Sequence, residues 1–272
     1  MKPIVVPVNF SANSEHAARY AADLALSIGA EVRLLYIFQI PMSMSEVPMP
    51  ESAFEDLQDS GEQMLSTLAH ELSRRSRGKV LVHTDMETGT VEGQIEKYCK
   101  EHEPLLVVMG TTGYGLENVL TGSNTVRAVG HLPYPVLVVP ESVRFQNIRH
   151  VVVACDQEDL ETGLPVATPV LKLLSEMPDN QLEVVHILTG DESETEFTLA
   201  YNHWKNGLKG LQPALRLVRA SSISAGLNEF LGESAADLLL VFPKKHGLLE
   251  FHRSQAKRLV MHCGVPVMSV HQ

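Results

Sequence analysis

Glycine recurs at positions 110, 113, 115 and 122 of the segment GTTGYGLENVLTGSNT, which runs from Gly110 to Thr125. That spacing suits anion chemistry. A residue without a β-carbon lets the backbone turn tightly and approach a ligand closely. Gly122-Ser123-Asn124 stands where a helix would open, and the first N–H groups of a helix lack internal partners and attract phosphate oxygens. Any one of these glycines would serve as an ordinary turn residue, and Ser123 as a helix cap. Their arrangement after one apolar strand, Leu105 to Met109, is what points to phosphate. No G-x-x-x-x-G-K-[ST] occurs, which excludes the common phosphate loop of nucleotide hydrolases. Gly113-Tyr114-Gly115 is too short for the dinucleotide fingerprint.

Other chemistries are poorly supplied. Acyl transfer needs a Ser or Cys beside a base and an orienting acid, and no G-x-S-x-G is present. Cys155 or Ser123 as a nucleophile would have no evident base. Glu117 is the one carboxylate in the glycine segment, while Asp85 and Glu87 read as solvated charges. An efficient hydrolase is therefore not expected, and slow turnover of bound ATP is the most that catalysis would amount to. The twelve histidines lack metal-ligand spacing; His246, His252, His262 and Cys263 come nearest to a cluster and read as solvated. Cys99, Cys155 and Cys263 form no C-x-x-C pair, against a disulfide framework or zinc ribbon and in keeping with a reducing compartment.

The segments that would position these residues alternate regularly. Strands are expected at Ile4–Val8, Glu31–Phe38, Val80–Thr84, Leu105–Met109 and Val136–Val139. Helices are expected over Ser14–Ile28, Glu51–Arg75, Val91–His102 and Ser123–Gly130. Ser11 or Ser14 would cap the first helix and Gly29 would end it. Uninterrupted apolar strands suit a parallel sheet covered on both faces. In such a sheet ligands bind beyond the carboxyl ends of the strands, where the connections reverse direction. Here that brings Pro7-Val8-Asn9, Ile37 and Met109-Gly110 to one crevice, composing a nucleotide site.

After Pro140 and a polar linker, Glu141–Asn147, a second series begins at Ile148–Cys155. Ala154-Cys155-Asp156 lies over Pro7-Val8-Asn9, and Val184–Leu188 over Leu34–Phe38. Pro266-Val267 lies over Pro135-Val136, with Arg258 over Arg127. The falling offset implies residues lost after the second strand, mostly from the long helix. Two domains are expected, residues 1–140 and 148–272, a division that 272 residues allow.

The net charge of −11, with no basic block, disfavours nucleic acid as a partner. No apolar run is long enough to span a bilayer, and the first ten residues read as a strand. A cytoplasmic protein without a membrane partner is expected.

Together these motifs resemble the universal stress protein family, specifically its tandem two-domain members. Nucleotide-binding members carry G-x2-G-x9-G-[S/T] after strand four. This chain has Gly110-x2-Gly113-x8-Gly122-Ser123, one residue shorter. The family's first strand ends Pro-x-Asp, here Pro7-Val8-Asn9, and Asn9 keeps an acceptor but drops the charge. The resemblance implies an α/β fold of two similar open parallel five-stranded sheets with helices on both faces, with adenine nucleotide alpha hydrolase-like or flavodoxin-like layering. It implies ATP or AMP, with or without magnesium, and no redox cofactor. Adenine and ribose contacts would come from Pro7, Val8, Asn9 and Ile37, and phosphate contacts from Met109, Gly110, Gly113, Gly122, Ser123 and Asn124. The second half keeps Asp156 but reads FPKKHGLLEFHRSQAKR where the glycines belong, with Phe242-Pro243 at the strand end and Arg253-Ser254 opposite Gly122-Ser123. It is expected to be a degenerate partner, with Lys244 and Lys245 left as solvated charges or an anion contact. Pairing through the final strands within one chain is also implied, while a homodimer through another surface and a protein with both nucleotide sites lost stay open.

Overall fold

The computed structural model describes residues 2–38, 51–111, 125, 128, 131–175, 177, 179–207, 212–243 and 264–271. The first half runs β1 (Ile4–Val8), α1 (Ala12–Ile28), β2 (Val32–Phe38), α2 (Glu51–Arg75), β3 (Val82–Thr88), α3 (Val91–His102), β4 (Leu106–Thr111) and β5 (Val136–Pro140). The second runs β6 (His150–Ala154), α4 (Gln157–Glu161), α5 (Gly163–Ser175), β7 (Gln181–Leu188), α6 (Glu194–Gly207), β8 (Ala214–Arg219), α7 (Ile223–Glu233), β9 (Leu238–Val241) and β10 (Val267–Ser269). This is the α/β layering expected, with one refinement. The strands form a single ten-stranded sheet, ordered β3-β2-β1-β4-β5-β10-β9-β6-β7-β8. Every pairing is parallel except β5 with β10, where Val138 faces Val267 and Leu137 faces Met268.

Local signals explain α1. Ser11 is its cap, in extended conformation, with its side chain accepting the Ser14 N–H; Gly29 ends it at φ 70°, a left-handed conformation open to glycine. Alternation along the strands then splits the core into two layers. Val6, Leu34, Val108 and Leu137 face α1 and α2; Val5, Leu35, Val107 and Val138 face α3 together with Ala128 and Leu132.

Register ties the halves together residue by residue. Ile4 stands opposite Val32 and Leu106, and Val151 opposite Leu182 and Leu238. Arg33 faces His83 as Glu183 faces Ala214. The missing residues therefore fall between the second and third strands of the second half, where α6 has 14 residues against 25 in α2.

Most boundaries shift by one or two residues from the sequence reading, and the third and sixth strands shift most tellingly. The third strand is Val82–Thr88 rather than Val80–Thr84: it is an edge strand, matched along its length to Val32–Phe38, so pairing carries it through polar His83, Asp85 and Glu87. Strand β6 begins at His150, because Ile148 is buried before the ladder starts.

Helices α1 and α2 are clasped by charge. Arg19 Nε donates to Glu71 Oε1 at 2.6 Å and its Nη2 to Glu15 Oε2 at 2.9 Å. The hydrogen bond from Arg19 holds the Glu71 carboxyl below its ordinary value. A lowered folded value adds stability above the unfolded carboxylate pKa, and this is lost as pH falls through the folded one. Both side chains are about a third exposed, 33% and 37%, so solvent screening keeps the effect small. Glu71→Gln is expected to lose less than about 1 kcal/mol near neutrality, and the difference should vanish once the folded carboxyl is protonated. Urea unfolding of both proteins at neutral and at acid pH measures it.

Candidate functional site at the carboxyl ends of β1, β2 and β4

From β1 the chain moves outward through α1 to β2 and through α2 to β3. It then returns by α3, on the opposite face, to β4 on the other side of β1. The connections reverse between β1 and β4, and in open sheets of this kind ligands bind beyond the carboxyl ends of the strands at that point. Among the sequence-predicted residues, Ile37 and Met109 are buried on the α3 side, at 8% and 7% exposure. Alternation puts half-buried Pro7, paired with Leu35, on that same side. The three thus converge from neighbouring strands. Val8 does not join them: its side chain is core against α1, which leaves only its backbone for a ligand.

Asn9 is exposed at the strand end, and its acceptor is already engaged. Oδ1 takes the Ser11 N–H at 3.2 Å and the Ser11 hydroxyl at 2.7 Å. The Asn9 N–H donates to Ser14 Oγ at 3.3 Å. The turn is thus wired internally, an asparagine turn of the kind that competes for backbone donors. Sequence reading missed its neighbour Phe10, a non-glycine residue at φ 59° whose ring packs at 4.9 Å from that of Tyr36. Its position directly after the strand end was the available signal.

Gly110 has a demonstrable reason to be glycine. A β-carbon there would stand 2.2 Å from the Asn13 carbonyl oxygen, so its absence lets the first turn of α1 rest on β4. Beside it Thr125, helical and buried, donates from Oγ1 to the Gly110 carbonyl at 3.3 Å. Gly113, Gly122, Ser123 and Asn124 lie outside the described residues, as do Glu117, Lys244, Lys245, Arg127, Arg253, Ser254 and Arg258.

The equivalent end of the second half is built differently. Register brings Phe242 to the Gly110 position, and the ring is buried in the layer containing Leu160, the counterpart of Asn13. A helix cannot rest there as α1 does on β4. The segment is divided into α4 and α5, with α4 packed on α5 and α6. Asp156 is consumed as the cap of α4: it accepts the Asp159 N–H while Asp159 accepts its own. Cys155 is buried, and desolvation raises its thiol well above the ordinary range, the reverse of what a nucleophile needs. Among the described residues no cluster of three or more His, Cys, Asp or Glu could hold a metal, and no helix is long and apolar enough to cross a membrane.

The sequence profile described as the universal stress protein family matches residues 1–140. A universal stress protein of Methanocaldococcus jannaschii is 31% identical over 141 residues, covering 51% of this chain and 81% of that protein. Among solved structures, a universal stress protein from Archaeoglobus fulgidus superposes with a TM-score of 0.79 at 16% identity, covering 99% of this chain and 98% of that one. A putative universal stress protein from Pseudomonas aeruginosa gives 0.59 at 14% identity, covering 100% and 93%.

Proposed function

The chain belongs to the universal stress protein family, and from that premise we propose that its first half binds an adenine nucleotide, ATP or AMP, in a stress-response regulatory role. The observation that carries this reading is the convergence of Pro7, Ile37 and Met109 on one face beside the β1/β4 reversal. They form an apolar wall for a purine. Gly110 and the segment from Gly113 to Asn124 would hold the phosphates, and Asn9 would offer its amide N–H₂, since its oxygen serves the turn. The second half, residues 148–272, acts in this reading as a degenerate tandem domain. Phe242 and the spent Asp156 carboxylate support that role.

Binding to the folded state alone stabilises it by RT ln(1 + [L]/Kd), about 2.7 kcal/mol at a hundredfold excess over Kd. Thermal unfolding and calorimetric titration with ATP and AMP, with and without magnesium, should show a raised midpoint and saturable heat. Gly113→Val should abolish both. Absence of any shift at millimolar nucleotide would sink the reading. The engaged Asn9 acceptor favours a second possibility, an interaction protein whose nucleotide site is lost in both halves, and this predicts that null result.

A further inference from the structure

At the seam between the halves, the linker after β5 crosses α1, where His16 Nε2 donates to the Val143 carbonyl at 2.6 Å and Phe145 meets the Tyr20 ring edge-on at 5.2 Å. Beneath it is a cavity of about 280 Å³, lined by Tyr20, Arg144, Gln146, Asp237, Val265 and Pro266 among others. Through Gln146 and Asp237 it adjoins a wider cleft of about 690 Å³.

Tyr20 is the unusual member. It is 3% exposed, and its hydroxyl has no hydrogen-bond partner among the described residues. The oxygen is not one of their sealed, unpartnered atoms, so it opens onto the cavity that Tyr20 lines. Burial first, and the nearby Asp237 charge second, hold the phenol well above its ordinary pKa, so the group is a neutral O–H at any physiological pH. Asp237 is half satisfied. Its Oδ2 accepts the Arg149 and His150 N–H groups at 2.8 and 3.0 Å, and Oδ1 has no hydrogen-bond partner among the described residues. Arg144, exposed on the rim, makes no ion pair among the described residues.

We propose that this cavity binds a small zwitterion of the α-amino-acid class, its ammonium between Asp237 Oδ1 and the Tyr20 hydroxyl and its carboxylate on Arg144. The chemistry selects that class. A group between a carboxylate and a phenol must donate protons, as an ammonium does threefold, and the guanidinium on the rim pairs with an anion. A phosphate would be repelled by Asp237, and the volume is close to the lower limit of small-molecule sites. Val265 and Pro266 leave an apolar surface for the side chain. The seam joins both halves, so occupancy would brace the linker against α1.

Calorimetric titration of the full chain with individual α-amino acids tests this, with acetate and methylammonium as singly charged controls. At least one amino acid should bind saturably where both controls fail. Tyr20→Phe should weaken that binding about tenfold while leaving the ligand-free unfolding midpoint unchanged or raised, because the hydroxyl removed had no partner. Arg144→Ala, at an exposed site, should weaken binding similarly without touching stability. The proposal is overturned if no amino acid gives saturable heat, if both variants bind as the parent does, or if Tyr20→Phe lowers the ligand-free midpoint. The last result would mean that the hydroxyl serves the fold or a structural water. Nucleotide titration is a separate measurement, and either result leaves the other standing.

Discussion

Among the described glycines, Gly110→Ala should be the most damaging single-methyl change, lowering stability by about 3 kcal/mol or more. The added carbon would meet the Asn13 carbonyl at 2.2 Å, with the carbonyl carbon at 2.7 Å behind it. Both atoms belong to the backbone of α1, so no side-chain rotation relieves the clash, and α1 must lift from β4. Its inward face carries Ala17, Ala18, Ala21 and Leu24, each no more than 1% exposed, which would lose contact together. Domains of this kind are stable by about 5–15 kcal/mol, so the loss is a large fraction of the total. Urea unfolding should give a lower midpoint in the absence of any nucleotide. A midpoint equal to the parent's would show that the close approach is not needed, leaving ligand binding as the reason for the glycine.

Leu137→Ala should follow, at about 3 kcal/mol. Leu137 is fully buried on β5, parallel to Val108 on one side and antiparallel to Met268 on the other. Its layer is one cluster running from Ile4 to Val270, so the cavity it leaves belongs to both halves. The expected transition is single, with signals from each half lost together. The lone Trp204, packed against that layer in the second half, reports one side by fluorescence. Two separated transitions would mean that the seam does not couple the halves.

How much of this was legible in the sequence depends on the range of the interaction involved. Ser11 and Gly29 bounded α1 because caps act within one turn, and the offsets between halves survived because sheet register preserves them. The β3 boundaries were misread because an edge strand takes its length from its neighbour, and nothing local to His83-Thr84-Asp85 announces that. Gly110 was recognised as a close-approach position, but the partner, Asn13, is far away in sequence. The Asn9 turn was hidden differently. Asparagine at a strand end reads equally as ligand contact or turn former, and only the Ser11 geometry shows its oxygen occupied. Phe242 was seen as a lost glycine, whereas the division of the following helix into α4 and α5 needed the fold.

The reversed pairing of β5 with β10 has a geometric consequence. It sends the carboxyl ends of the parallel strands in one half to the opposite rim from those in the other. Two pockets built on the same plan would therefore open at opposite poles, a full strand length apart, and no single small molecule could bridge them. Whatever one pole experiences reaches the other only mechanically, through the shared apolar layers and the strap that runs from Pro140 to His150.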